Sequence, residues 1–263
     1  MARPTIADLA RAANVSISTV DRLLNGRDPV RRPTAERVLK AAEEIGFYAT
    51  GAIRQRLGTD KPERTLGFIL QKRAKPFYRL LGDALAGATT TSAAIRGHPV
   101  IDFLEEITPT AVSDRLLRLG KRTDAVALVA ADHPHVTNAI DQLRAAKVPV
   151  FALISDLTAS GRAGYIGLDN RKVGRTAAWT MANFCKHPGE IGIFVGSHRF
   201  LCQELCEMSF RYYFRENAPE FRLLEPLTSL EDARLAHEST LDFLKRKPDL
   251  VGIYVAGGGA SKA

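Results

Sequence analysis

The sequence predicts an α/β protein in two parts, an all-α helix-turn-helix unit followed by a doubly wound, parallel-sheet core. Three observations carry this. Apolar residues recur at three- and four-residue steps through the first 46 positions, the period of amphipathic helices. From Thr65 they gather instead into short continuous runs, TLGFIL, AVALVAA, VPVFALI, EIGIFVG and LVGIYVAG, as strands covered on both faces do. Stretches of helical period separate those runs, and a strand-helix alternation on this scale implies βαβ units.

The first helix is read from Ile6, Leu9, Ala10 and Ala13, and the second from Val20, Leu23 and Leu24. Thr5 with Asp8, and Ser16 with Thr19, put a hydroxyl at each helix start, the first pair at capping-box spacing. Asn14 between them tolerates a left-handed turn. Two helices this short cannot close a core alone, and a third is supplied from Thr34, with Val38, Leu39, Ala42 and Ile45 as its stripe and Gly46 as its C-terminal cap. The second helix then turns Ser16, Ile17, Ser18, Asp21, Arg22 and Asn25 outward, groups able to bond phosphates and base edges.

The motif VSxxTVxRxLN, as Val15, Ser16, Thr19, Val20, Arg22, Leu24 and Asn25, and the later TxxRVLxAAxxxG, as Thr34, Arg37, Val38, Leu39, Ala41, Ala42 and Gly46, resemble the headpiece of the lactose-repressor (LacI) family of bacterial transcription regulators. The resemblance implies operator DNA as partner, with Thr5, Ser16, Ile17, Ser18, Asp21, Arg22, Asn25, Arg31 and Thr34 as candidate contacts. Asp21 stands where the family has a serine; a carboxylate there is repelled by phosphate but accepts from a cytosine amine, which alters the operator read.

The formal charge of +8 suits a polyanion partner, but ten Lys and Arg against seven acids leave residues 1–60 at only +3. The cations that matter are Arg22, Arg27, Arg31 and Arg32, clustered around the second helix and the loop after it. The connector FYATGAIRQRL resembles the family's hinge, a short helix on operator DNA whose leucine wedges into the minor groove, which makes Leu57 the candidate wedge. Thr50 and Gly51 replace the family's Pro-Asn there, and Arg54 its small alanine.

The core resembles the two-lobed, periplasmic-binding-protein-like effector core of that family, and the resemblance implies a small-molecule effector, a sugar or polyol, and a homodimer when the core is complete. Open α/β sheets bind ligands beyond the carboxyl ends of their strands. The candidate effector residues are therefore Phe77, Tyr78, Asp132, Ser155, Asp156, Asp169, His198 and Arg199, with Asp169 and Asn170 opening a segment similar to the family's DNxxxG. Cys206 takes the place of a family arginine and Ser209 that of a glycine. The chain stops at GGGASKA, where the family continues through further strand-helix pairs, so the core reads as cut short.

The expected organisation is a headpiece over 1–47, a hinge over 48–62, a first lobe over 63–157 and a second lobe over 158–263. No cofactor and no metal is called for. His198, Cys202 and Cys206 fall at four-residue steps and could offer zinc three ligands along one side of a helix, but one histidine beside two core-type cysteines is a weak set. No catalytic arrangement has meaningful spacing, which leaves an enzyme with an appended headpiece as the weaker alternative, beside a sugar-binding module that does not regulate. Absence of a leader and of any apolar run near about 20 residues implies a cytoplasmic protein without a membrane segment.

Overall fold

The structure, a computed structural model, describes residues 3–26, 30–57 and 61–257, with the backbone alone at 55–57. The chain divides into two compact units, the first reaching Glu63 and including Ala93–Arg96, the second holding Arg64–Ser92 and the chain from Gly97.

The first unit is helical: α1 (Ile6–Ala12), α2 (Ile17–Asn25), α3 (Arg32–Glu44) and α4 (Thr50–Leu57). Its core is Leu9, Ala13, Val20, Val38, Ala42 and Phe47, joined by Ile53 from α4. The Thr5–Asp8 capping box forms in full: the Asp8 amide donates to the Thr5 hydroxyl at 3.3 Å, and the Thr5 amide to the carboxylate at 3.0 Å. Asn14 takes the left-handed conformation, φ 50°, as its type allows. Gly26 and Gly46 take it after α2 and α3, at φ 65° and 64°. α3 begins at Arg32, before the Thr34 expected, because Pro33 sits in the first turn, where its missing N–H costs no hydrogen bond.

In α4 tertiary packing overrides a weak local pattern. The Thr50 hydroxyl donates to the Phe47 and Ala42 carbonyls at 2.5 and 3.3 Å, Arg54 pairs with Glu43, and Ile53 is fully buried. Among the described side chains of this segment only Ile53 is a buried apolar one, so periodicity gives no notice of the helix.

In the second unit, a five-stranded sheet runs in the order β2 (Arg96–Leu104), β1 (Glu63–Gln71), β3 (Ala125–Leu128), β4 (Val150–Leu153), β5 (Gly164–Ile166). β1, β3, β4 and β5 are parallel, with Leu66 opposite Ala125, Val126 opposite Val150 and Ala152 opposite Tyr165. α5 (Pro76–Thr90), α6 (Pro109–Gly120) and α7 (Pro134–Ala145) connect these strands. Leu116, Leu128 and Ile140 are buried on one face of the sheet, and Phe68, Leu70 and Val129 on the other. β2 carries Pro99 and charged residues, which hide it from a pattern search; it is an edge strand, where proline is tolerated.

The second sheet is centred on β6 (Glu190–Val195). β7 (Arg222–Leu223) and β8 (Leu227–Thr228) lie along one of its edges, and β9 (Leu250–Val255) along the other, all parallel to it. α8 (Asn170–Phe184), α9 (Leu201–Asn217) and α10 (Ala233–Arg246) complete this lobe. Its core is aromatic, with the Phe210 and Tyr254 rings stacked at 4.1 Å. Since β5 pairs with β4, the change of sheet falls after Ile166, later than the boundary expected between 157 and 158; three residues are too few to announce a strand by pattern. Among the described residues no helix is long and apolar enough to cross a membrane.

Candidate nucleic-acid interface and ligand cleft

On α2 the outward row is built as its spacing implies. The Ser16 hydroxyl caps the helix by accepting from the Thr19 amide, and shares a 2.9 Å hydrogen bond with the Ser18 hydroxyl. Ile17, a large aliphatic side chain at the first turn, is 57% exposed among the described residues. Arg22 lies along the helix, donating from Nε to the Ser18 carbonyl at 3.3 Å and from Nη2 to Thr19 Oγ1 at 3.4 Å. The Asn25 amide donates to the Asp21 carboxylate at 2.6 Å, so Asp21 spends one acceptor within its own helix and fixes the Asn25 rotamer. Arg31 is exposed at the start of α3, and Thr34 is half-buried behind it. Thr5 is engaged in the capping box. Arg27 and the Leu57 side chain lie outside the described residues.

Between the two lobes of the second unit lies a cleft of about 650 Å³. Its walls are largely apolar, with Phe77, Tyr78 and Val129 from the first lobe and Phe200 and Val255 from the second. Burial pushes the Tyr78 phenol above the usual range, with Glu231 and Cys202 adding to the effect, so it is a neutral O–H donor at the cleft wall. Burial likewise raises the Cys202 thiol, and raises Cys206 to about 11. Among the described residues the lobes meet at several polar points, of which three border the cleft. The Cys202 amide donates to Ser155 Oγ at 3.2 Å, the Asp132 amide to the Arg199 carbonyl at 2.8 Å, and Lys75 Nζ to Glu231 Oε2 at 2.7 Å.

Of the eight candidate effector residues, Phe77, Tyr78 and Ser155 come together on this cleft. The other five have different places. Asp132 accepts from the Thr158 amide and hydroxyl at 3.0 and 2.8 Å, and Asp156 forms a two-point pair with Arg162 at 2.7 and 2.9 Å. Asp169 caps α8 through the Arg171 and Lys172 amides and lines a separate groove of about 1340 Å³ between α8 and β9. His198 and Arg199 are exposed on the turn before α9. His198 precedes that helix, so it does not share a helical face with Cys202 and Cys206, and among the described residues no group of three His, Cys, Asp or Glu is placed to hold a metal. An acid after a strand serves equally as ligand contact and helix cap, and the spacing does not separate the two.

Sequence reasoning missed Lys75, Gln203 and Glu231. Lys75 follows the first strand, where ligand residues gather, but the aromatics beside it carry the plainer signal. Glu231 follows β8, a two-residue strand with no sequence signature. The DNxxxG segment serves both cleft and packing: Asn170 lines the cleft, while a Cβ on Gly174 would lie 2.2 Å from the Cys206 carbonyl oxygen and 2.3 Å from Ser209 Oγ, so the missing side chain lets α8 approach α9.

A capped helix-turn-helix unit followed by two parallel-sheet lobes around a cleft defines a class, the helix-turn-helix headpiece with a periplasmic-binding-protein-like core. Residues 112–263 match the family model of the periplasmic binding protein domain, and residues 5–49 that of bacterial regulatory proteins, lacI family. The chain belongs to the periplasmic binding protein domain family over residues 112–263, preceded by a lacI-type regulatory segment at 5–49. An uncharacterized HTH-type transcriptional regulator in the aml 5' region of Streptomyces limosus is 29% identical over 207 residues, which cover 75% of this chain and 54% of that protein. The HTH-type transcriptional regulator MalR of Streptomyces coelicolor is 27% identical over 202 residues, covering 74% and 55%. This chain thus spans about half the length of the curated relatives it matches.

Among solved structures, the lac repressor dimer bound to operator and the anti-inducer ONPF aligns at TM-score 0.59 and 17% identity, over 98% of this chain and 75% of that one. A solute-binding protein of Burkholderia graminis in complex with D-arabinose aligns at TM-score 0.66 and 20% identity, over 76% and 68%. At these identities the likeness is one of fold.

Proposed function

We propose that this chain is a DNA-binding transcription regulator of the bacterial cytoplasm, whose operator affinity is set by a small sugar or polyol held between the lobes of its core. The observation that carries the reading is α2: a capped, amphipathic helix whose outward row, Ser16, Ile17, Ser18, Asp21, Arg22 and Asn25, makes hydrogen bonds among the described residues only within α2 and its cap. Arg31, on the same unit, supplies a phosphate contact. Closure of the lobes around an effector shifts the population of headpiece arrangements in a dimer, and two-fold symmetry then requires a near-palindromic site. The function is binding and coupling, with no chemical step. Leu57, at the end of α4, is the residue proposed to wedge between base steps.

Selection of duplexes from a random library tests this reading. The expected product is a near-palindrome bound with strong salt dependence, and Arg22→Ala weakens that binding by about tenfold or more. Equal affinity for all duplexes after competitor titration contradicts the assignment.

A further inference from the structure

We infer that the Lys75–Glu231 pair makes the cleft selective for uncharged ligands, a specificity that rests on the sugar-binding reading above and narrows it. The carboxylate of Glu231 is only 6% exposed and is held from two sides, Oε2 by Lys75 Nζ at 2.7 Å and Oε1 by Gln203 Nε2 at 2.5 Å. Gln203 is itself fixed, its Oε1 accepting from the Gly196 and Ser197 amides at 2.7 and 3.0 Å. Leu230 and Glu231 both take left-handed backbone conformations, φ 51° and 60°, which side chains of their type avoid unless the surroundings hold them. The second lobe therefore presents a placed carboxylate, and the first lobe a placed ammonium.

Among the described residues, the other charged side chains on the cleft wall are Lys72 and Asp232, one of each sign, and Asp232 is already engaged by the Arg234 and Leu235 amides at 2.9 Å each. The lining thus carries two cations and two anions, and the central two neutralise each other. A ligand carboxylate at Lys75 lies beside the like charge of Glu231, and a ligand ammonium at Glu231 lies beside Lys75, so either is repelled unless it displaces its like-charged neighbour from the pair. Breaking one side of a buried pair is far more costly than adding to it. A hydroxyl faces no such conflict, because each carboxylate oxygen has a second lone pair and an ammonium has three donors. Neutral polyols add hydrogen bonds to the intact pair.

The test is a thermal-shift titration of the full chain with matched probes: the neutral sugars D-ribose, D-arabinose, D-glucose and D-galactose, the uronates of glucose and galactose, and their 2-amino derivatives. The wild type is expected to be stabilised by a neutral member and to require on the order of tenfold more of its charged counterpart. Glu231→Gln frees Lys75 and moves the preference toward the uronates; Lys75→Met moves it toward the amino sugars. The exchanged pair, Lys75→Glu with Glu231→Lys, keeps neutrality and is expected to restore the wild-type ranking, which also separates charge from loss of folding. Stabilisation of the wild type by neutral and charged sugars alike, or an exchanged pair that favours charged probes, overturns the specificity while leaving the sugar reading intact. No stabilisation of the wild type by any neutral member overturns the sugar reading and the specificity with it.

Discussion

Replacing Ile53 with Ala is expected to undock α4 from the headpiece. The side chain is fully buried among the residues of α1, α2 and α3. Truncation to Ala removes three methyl or methylene groups, about 2.5 kcal/mol of transfer free energy at roughly 0.8 kcal/mol each, and the cavity left behind raises the loss to about 3 kcal/mol. The other attachments among the described residues are the Thr50 hydroxyl bonds and the exposed Arg54–Glu43 pair; a surface pair of that kind is worth at most about 1 kcal/mol. An eight-residue helix is marginal without packing, so α4 opens once this apolar anchor is gone. Hydrogen exchange on the full chain reads this directly. Amides at 54–57 are expected to exchange about a hundredfold faster, and those of α1 to change much less. Unchanged protection at 54–57 would refute the view that Ile53 holds the connector.

Other expectations follow from single contacts. Gly174→Ala puts a methyl group within 2.2 Å of the Cys206 carbonyl and forces α8 from α9; overpacking outweighs the gain in helix propensity, and the core loses about 1–3 kcal/mol in urea denaturation. Thr5→Ala removes the first helix cap and lowers headpiece stability by about 1 kcal/mol, measured by the same method. The Thr5 hydroxyl, then its amide, hold the Asp8 carboxyl below its ordinary value of 3.8. A depressed carboxyl stabilises the fold above its unfolded pKa and loses that contribution as pH falls through the folded value, so the gap between wild type and Thr5→Ala should narrow below pH 3.8 to what the pH-independent bond from the Asp8 amide to the Thr5 hydroxyl contributes.

The headpiece was largely legible because its signals are local and agree with one another. Hydroxyl caps at Thr5 and Ser16, the left-handed Asn14 and Gly46, and the apolar stripes of α1 to α3 all point the same way. In the core, the long buried runs became β1, β3, β4, β6 and β9, with helices such as α9 in the stretches of helical period between them. What escaped was set by long-range pairing. β2 hides behind Pro99, and β5, β7 and β8 are too short for a period to show. The cleft's central ion pair joins residues 156 positions apart, and no local pattern announces a partner at that separation.

The most direct test of the account is linkage between cleft and operator. A labelled duplex recovered by selection is titrated with the full chain at fixed salt, followed by fluorescence anisotropy, with and without saturating amounts of the neutral sugar that raises the melting temperature. Coupling of ordinary strength gives a change in duplex affinity of about tenfold, and the same factor must appear in sugar affinity when saturating duplex is present. Identical duplex affinity in the two titrations, with sugar bound, would contradict a sensor that controls a reader.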